Sequence, residues 1–398
     1  MKGRFDMNTV AKWFFPILLL TALPLMSQNY IDRLNSAAGI PLLKRTSVWN
    51  RADFETMLKQ NRIRLEGDPA RRTAFLANRM IFGTQAVEIR IISDSRDIVC
   101  QADIVYSNKG DFGKAKQWKK QIKKSAKSIS SVLTSLLGPS KQGTFGPLGM
   151  QESVQVWNVG KTRLMLESAQ KEYTILHICY QDPAPRKVSR EDIRSRNDNL
   201  GGNVLSEESG DIVINNIPMV NQGSKGYCVP ATVERVLTYY GIRQVSMHQL
   251  AKAAKTGRGG GTSFESMVNS IRQMCRKYDL GIITLGDLRM PTIDKYISKG
   301  IPVFWGMNLN PEFIRLMNLS RMNRPLSQSP EAWLDTVRKY RVPRNGEGHM
   351  CLIVGCNVRT SEIAISSSWG EREIIPAWIP LRLALKVSQG ATFIIRPN

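Results

Sequence analysis

The chain has 398 residues, enough for two ordinary domains that each bury a hydrophobic core. Apolar residues make up 42% of it and charged residues 22%, which excludes a disordered or a fibrous protein. The formal net charge of +23 favours anionic surroundings such as nucleic acid, lipid headgroups or acidic polymers, although an organism with a generally basic proteome would produce the same excess.

The N-terminus has the pattern of an export signal. Basic residues precede an apolar stretch (13–26), and the small residue Ser27 follows it. The stretch is shorter than the about 20 residues that a membrane-spanning helix needs. We therefore predict a signal peptide over residues 1–28 and an exported protein, which would be periplasmic, envelope-bound or extracellular. Cleavage is expected, but Leu25 is not a small residue, so an uncleaved N-terminal anchor stays open.

The first domain, residues 29–184, is predicted to be an α+β domain built on an antiparallel sheet. Apolar and polar residues alternate in several segments, and short loops separate most of them. Cys100 and Cys179 lie in two of these strands and could pair, with buried free thiols as the alternative. Nothing in the segments indicates what the domain does. The segments are 87–92, 98–106, 154–159, 163–169 and 173–180.

One amphipathic helix is predicted between the second and third of these strands, over about residues 114–137. Its lysine face contains no acidic residue, which favours contact with an anionic envelope polymer or a membrane surface; an ordinary solvated face is the alternative. The apolar face carries Trp118, Ile122, Ile129, Val132, Leu133 and Leu136. The basic face, Lys116–Lys127, carries Lys116, Lys119, Lys120, Lys123, Lys124 and Lys127.

A polar segment with Gly and Ser residues then separates two regions of ordinary globular composition. It has few large apolar residues, which is typical of a linker. We place the linker at residues 185–210 and a second domain at residues 211–398.

The second domain contains a cysteine at a predicted helix start. After Cys228, apolar residues recur at helical spacing, with Pro230 in the first turn and Gly241 at the C-terminal end. Unpaired N–H groups and the helix dipole at an N-terminus favour negative charge, so we expect a lowered thiol pKa and an enriched thiolate. A cysteine before a helix is more often a small core residue, so a nearby base is needed to support a catalytic role.

The sequence contains three histidines that could supply this base. His177 lies in a predicted strand of the first domain. His248 lies on a short helix that Ser246 and Gln249 begin with a capping box, and we expect it at the surface or at a rim. His349 follows a Gly-rich turn and opens a strand, where a side chain can face a cleft. His349 is therefore the candidate general base.

The order of these residues resembles the papain-like cysteine peptidases. Gln222 stands six residues before Cys228, His349 follows a glycine at the start of a strand, and SSSWG follows at 366–370. The stretches CVPATVERVLTYYG and GHMCLIVGCN most resemble the branch of bacteriocin-processing, double-glycine-leader peptidases. The resemblance covers about residues 215–398. It implies a papain-like cysteine peptidase domain for that part of the chain and says nothing of residues 1–210. With the first domain predicted from its strand pattern, the expected fold class is α+β, a papain-like cysteine peptidase domain preceded by a separate antiparallel-sheet α+β domain.

The resemblance also implies a role for each matching residue. Cys228 would be the nucleophile, and His349 the base that later protonates the leaving amine. The side-chain amide of Gln222, with the backbone N–H of Cys228, would hold the developing oxyanion. Trp369 would shield the histidine from water.

One position departs from the family pattern. The family places Asn or Asp just before Ser-Trp-Gly, where it orients the histidine, and this chain has Ser367 there. A hydroxyl can accept the same hydrogen bond, but it is short and uncharged. Loss of the orienting group weakens such a triad without abolishing its chemistry. Ser367 is therefore the uncertain orienting position of the predicted site.

Other features of the second domain do not predict a cofactor. Cys351 and Cys356 with His349 provide at most three metal ligands, so no metal is expected. No phosphate-binding loop and no nucleic-acid-binding module is present, so we expect neither a cofactor nor a specific nucleic acid. Residues 308–346 form an insertion before His349, which we expect near the rim of the cleft or as a plain surface excursion.

The sequence therefore predicts an exported cysteine peptidase that hydrolyses peptide bonds of protein or peptide substrates. The alternative, motivated by Ser367, is a catalytically weakened papain-like protein that serves as a binding or scaffold component of the cell envelope. The first domain could be an inhibitory pro-region or a targeting module.

Overall fold

The computed structural model describes residues 30–44, 49–68, 71–94, 96–112, 117–180, 191, 194, 195 and 198–398. The predicted signal peptide lies outside these residues, as do Lys116 and much of the predicted linker. No helix in the described part of the chain is long and apolar enough to cross a membrane.

The first half of the chain forms an eight-stranded antiparallel sheet in the order β1-β2-β3-β4-β8-β7-β6-β5. All five predicted strands belong to it, and the predicted α+β class of this domain, with an antiparallel sheet, is confirmed. Its strands are β1 (Glu66–Asp68), β2 (Arg71–Ile81), β3 (Thr84–Ser93), β4 (Val99–Asn108), β5 (Lys141–Phe145), β6 (Glu152–Val159), β7 (Thr162–Ala169) and β8 (Tyr173–Cys179). Its helices are α1 (30–38), α2 (Arg51–Gln60) and α3 (Trp118–Leu137).

The two faces of this sheet differ in polarity because side chains alternate along each strand. One face, which includes Ile89, Ile104 and Leu176, forms a hydrophobic core with the three helices. Ile129 and Leu133 of α3 lie in this core, while its five described lysines (Lys119, Lys120, Lys123, Lys124 and Lys127) are exposed. The opposite face carries charged residues and packs against the second half of the chain.

The second half contains another eight-stranded antiparallel sheet, ordered β11-β16-β12-β13-β10-β9, with β14 paired to β13 and to β15. It begins at Val204, inside the segment predicted as linker. Its strands are β9 (Val204–Ser206), β10 (Asp211–Ile214), β11 (Leu280–Thr284), β12 (Val303–Leu309), β13 (Glu347–Asn357), β14 (Glu362–Ser366), β15 (Ala377–Pro380) and β16 (Ser388–Pro397). Its helices are α4 (Cys228–Tyr239), α5 (Met247–Ala253), α6 (Phe264–Lys277), α7 (Met290–Ile297), α8 (Pro311–Asn323), α9 (Pro330–Thr336) and α10 (Leu381–Val387).

Buried charged groups join the two halves. Arg71 of β2 and Arg90 of β3 both contact the carboxylate of Glu234 on α4. Arg71 also donates to the carbonyl oxygens of Arg243 and Val245, at 2.7 Å and 3.3 Å. Such ions are tolerated in an interior only when they are paired, so this arrangement fixes the N-terminal sheet against α4.

His248 belongs to this interface, and the prediction that it lies at a surface or rim is wrong. Its capping box is present, with Ser246 and Gln249 in the predicted roles. The imidazole is nevertheless buried, with Nδ1 2.8 Å from Asn108 Nδ2 and Nε2 3.5 Å from a carboxylate oxygen of Glu88. The N-terminal sheet covers the residues that would otherwise face solvent.

Candidate active site

Cys228 is the first residue of α4, as predicted. The loop before it approaches another loop closely at Gly226, which has a φ of +69°. A Cβ atom on Gly226 would lie 2.8 Å from the Cα atom of Gly260, so only glycine fits both the dihedral angle and the space. This contact places the start of α4 against the segment that forms one wall of the cavity described below.

His349 lies near the start of β13, where it pairs with Met307 of β12. Its Nε2 atom is 3.0 Å from the hydroxyl oxygen of Ser367, the predicted orienting position. The ring of Trp369 lies beside the imidazole, with centroids 4.6 Å apart and planes inclined by 31°. Ser367 and Trp369 therefore touch the histidine in the places that the sequence pattern predicts.

Gln222 is held by Ser368, a residue that the sequence did not single out. The backbone N–H of Gln222 donates to the carbonyl oxygen of Ser368 at 2.9 Å. The Ser368 hydroxyl donates to Gln222 Oε1 at 2.6 Å. Because the amide oxygen is engaged, the amide nitrogen is the end of the side chain left to donate to another group.

Arg235 connects α4, the helix that begins at Cys228, to the segment that contacts His349. It lies on α4, two turns after Cys228, and its guanidinium donates to the carbonyl oxygens of Ser366 and Ser367 at 3.2 Å and 2.8 Å. From the other side, the backbone N–H of Ser367 donates to a carboxylate oxygen of Glu373 at 3.0 Å. Arg235 is buried, and burial lowers its pKa to about 10. The sequence could have indicated Arg235, because it is a charged residue two turns after Cys228 on a helix that carries apolar residues at helical spacing.

Four of the five predicted site residues line one cavity of about 400 Å³, and Ser367 reaches the site through its contact with His349. These four are Gln222, Cys228, His349 and Trp369. Several glycines also line the cavity, and their lack of a side chain leaves space in it. Every residue that lines it comes from the second half of the chain. The described part of the N-terminal domain therefore does not fill this cavity as an inhibitory segment would.

Burial determines the protonation states of the Cys228 thiol and the His349 imidazole. It raises the pKa of the Cys228 thiol, against the opposite effect of N–H groups of Met350, Val229 and Cys228 itself. Burial also lowers the pKa of His349 to about 4. The thiol and the imidazole are thus both neutral near pH 7. The expectation of a lowered thiol pKa is wrong, because burial outweighs the helix N-terminus.

The N-terminal sheet holds the loop that precedes the cysteine. Lys225 is buried, and its Nζ atom lies 3.0 Å from Glu88 of β3 and 3.3 Å from Asp111. It also lies 4.8 Å from the ring centre of Phe75 of β2. A group three residues before Cys228 is therefore fixed by the other domain.

The remaining cysteines are free thiols, including Cys100 and Cys179, for which a pairing was left open. Cys275, Cys351 and Cys356 are buried. Desolvation by burial raises the pKa of each of these five thiols. Cys228 is the one thiol among the described residues that lines the candidate cavity.

Comparison with known proteins finds two solved structures that are similar to about half of the chain. A putative C39-like peptidase from Bacillus anthracis has 12% identity, with 47% of this chain and 98% of that chain covered and a TM-score of 0.32. Xylellain, a cysteine protease from Xylella fastidiosa, has 11% identity, with 50% and 89% covered and a TM-score of 0.27. No curated protein matches the chain. Residues 214–377 match the Peptidase_C39 like family, and this match confirms the predicted resemblance of the second domain to papain-like cysteine peptidases.

Proposed function

We propose that the second domain is a cysteine peptidase that hydrolyses peptide bonds of protein or peptide substrates. The observation that carries the proposal is the contact of His349 with Ser367 and Trp369 at the cavity that Cys228 and Gln222 also line. A nucleophile, a base, an orienting group and an amide donor are the parts that acyl transfer requires.

The proposed reaction follows from the free atoms of the site. Nε2 of His349 is engaged by Ser367, so Nδ1 is the nitrogen left to take the thiol proton. The sulfur then bonds to the scissile carbonyl carbon, and the carbonyl oxygen gains negative charge near the Gln222 amide and the Cys228 N–H. His349 returns the proton to the departing amine, and water then hydrolyses the thioester. Because both groups are neutral at rest, proton transfer accompanies sulfur attack.

Hydrolysis of a fluorogenic peptide library by the full chain tests this proposal. We expect activity in the wild type and its loss in Cys228→Ala and in His349→Ala, because each removes a reacting group. Cys100→Ala is the matched control, since that thiol lies in the N-terminal sheet, and it should retain activity. Hydrolysis that survives in Cys228→Ala would overturn the assignment of the nucleophile.

The competing reading is a catalytically weakened binding or scaffold protein of the cell envelope. Ser367 is the observation that supports it. A serine hydroxyl can donate as well as accept a hydrogen bond, so it fixes one imidazole tautomer less firmly than an amide oxygen does. Peptide binding by the wild type without hydrolysis would favour that reading.

We also propose that the protein is exported, with residues 1–28 as the signal peptide. After export, the lysine face of α3 would bind an anionic envelope polymer or a membrane surface. The support for the second point is the exposure of Lys119, Lys120, Lys123, Lys124 and Lys127 along one helix. Co-sedimentation with vesicles containing anionic lipid should fall as salt rises. The same assay with Lys→Gln changes at Lys120, Lys123 and Lys124 should show weaker binding. Equal binding by both proteins would contradict this proposal.

A further inference from the structure

A second cavity adjoins the candidate active site. It has a volume of about 390 Å³ and lies between the N-terminal sheet, α8 and the segment after Trp369. Trp369 lines this cavity and the catalytic one, and Asn221 and Gly223, which line it too, flank Gln222 in the sequence. The two cavities therefore share Trp369 and lie on either side of the loop that carries Gln222.

Phe75 forms the wall that the N-terminal domain contributes. It lies on β2 opposite Glu88 of β3, and its side chain is 42% exposed, which is unusual for a large aromatic residue. The ring packs on Gly223, where an added Cβ atom would come within 2.8 Å of it, and the Lys225 ammonium group lies 4.8 Å from its centre. The exposed ring is therefore held in place by the loop that precedes the candidate nucleophile.

The lining of the cavity indicates what it accepts. Phe75, Ile314 and Trp369 provide apolar surfaces, and Arg372 provides a positive charge. The Arg372 side chain is 60% exposed, and its guanidinium carbon lies 5.8 Å from the Trp369 ring centre. Its carboxylate neighbour, Glu373, is 3.6 Å away and also binds Arg321, so Arg372 can still attract an anion.

Two exposed apolar residues, Ile374 and Ile375, follow Arg372 in a segment that contacts α8. Arg321 lies seven residues after Ile314, about 10 Å farther along the helix. Its Nε atom donates to the carbonyl oxygen of Ile375 at 3.0 Å, and Ile374 and Ile375 are each 56% exposed. Ile374 and Ile375 therefore add exposed apolar surface next to Arg372, which favours a peptide as the ligand.

We propose that this cavity is a substrate subsite, built jointly by the two domains, for a bulky apolar side chain next to an acidic residue in a peptide. The inference rests on the proposed peptidase function and adds to it a substrate preference. It gives the N-terminal domain a part in substrate selection through Phe75.

The test uses full-length protein and peptides that differ at a single position, with Phe, Leu or Ala there and either Asp or Asn beside it. In the active protein, we expect the ratio of kcat/KM for the Phe peptide to that for the Ala peptide to fall about tenfold in Phe75→Ala. Met80→Ala is the matched control, because Met80 lies on the same strand, is 53% exposed and does not line the cavity. It should leave the ratio unchanged. Arg372→Gln should reduce the preference for Asp over Asn about threefold at low salt.

Binding of the same peptides to a Cys228→Ala protein, measured by fluorescence anisotropy, separates this inference from the proposed function. Binding that depends on Phe75, in a protein whose wild-type form hydrolyses none of the peptides, would overturn the peptidase and leave the subsite standing. Hydrolysis or binding whose selectivity is the same with Phe75→Ala would overturn the subsite. Failure of every peptide to bind or react would overturn both.

Discussion

The Nζ atom of Lys225 lies 3.0 Å from a carboxylate oxygen of Glu88, so the N-terminal sheet holds a residue three positions before Cys228. Both side chains are buried. The cations around Glu88, with Lys225 first among them, hold the pKa of this carboxyl far below its usual range despite its burial. The candidate active site therefore depends on an ion pair that crosses from one domain to the other, while its cavity stays open.

Removing the Glu88 charge should destabilise the protein. Glu88→Gln leaves Lys225 buried with only Asp111 as its carboxylate partner, and we expect a loss of about 3 kcal/mol in the free energy of unfolding, measured with urea. Glu152→Gln is a matched control, because Glu152 also pairs across the domains, with Lys252 at 2.6 Å, but is partly exposed. Its cost should be below about 1 kcal/mol. Equal costs would contradict the importance of the buried pair.

Ser367→Ala should slow hydrolysis with little effect on binding. The change removes the hydroxyl oxygen that accepts from Nε2–H of His349 in the reactive tautomer, so fewer molecules hold the imidazole in that tautomer. We expect kcat to fall about tenfold while KM stays nearly constant. Ser270→Ala, which removes a hydroxyl bonded within α6, is the control and should leave kcat unchanged. An increase in KM without a change in kcat would argue against an orienting role.

Ser368→Ala should affect the transition state through Gln222. Without the hydroxyl that binds Oε1, the amide can rotate, so its nitrogen no longer points at a fixed position. We expect a fall of about tenfold in kcat, measured by steady-state hydrolysis. A double variant with Gln222→Ala should be little slower than Gln222→Ala alone. Additive losses would show that Ser368 acts independently of Gln222.

Alkylation of Cys228 by iodoacetamide should accelerate with rising pH. Burial raises the pKa of this thiol above its usual value near 9, so the reactive thiolate is scarce at pH 7 and increases through the alkaline range. His349 has a pKa of about 4 and is neutral over the same range, so it adds no positive charge. Alkylation followed by mass spectrometry gives the rate at each pH. A constant fast rate between pH 5 and 8 would instead indicate a thiolate–imidazolium pair.

The stability of the N-terminal sheet should fall as pH rises because of His177. This buried imidazole lies 2.7 Å from Asp103 and 3.0 Å from Glu167, and these carboxylates outweigh desolvation and raise its pKa to about 9. The folded state therefore keeps a proton that the unfolded state loses above about pH 6.5. The stabilisation is complete below that pH and is lost, by about 3 kcal/mol, as pH rises through about 9.

Urea unfolding of the wild type and of His177→Gln at several pH values measures this loss. The variant lacks the titrating group, so its stability should vary less between pH 6.5 and 9 than that of the wild type. Parallel pH profiles for the two proteins would contradict the assignment.

The sequence predicts the parts of the site that short motifs carry. Cys228 at a helix start, and His349 at a strand start after a glycine, are local patterns, and the structure places both where the patterns indicate. Ser368 and Arg235 escaped notice because their roles depend on segments more than 100 residues away in the chain. The same reason explains the pKa of the Cys228 thiol, since burial is a property of the whole fold.

The N-terminal sheet shows a different limit of sequence patterns. Strand β2 was not predicted, because one of its faces carries Arg71 and Thr73 where an apolar residue would mark a buried strand. Both residues are buried all the same, and Arg71 contacts Glu234 of the second domain. His248 was misplaced for the same reason, as a capping box reports where a helix begins and not what packs on it.

The position of Arg235 makes the candidate site a single cooperative unit. Cys228 and Arg235 lie on the same helix. Arg235 donates to the carbonyl oxygen of Ser367, in the segment that contacts His349. We therefore expect Cys228 and the segment that contacts His349 to unfold together. Backbone amides of α4 and of residues 366–368 should exchange with deuterium at a common rate on warming, and reactivity should vanish in one step instead of fading gradually.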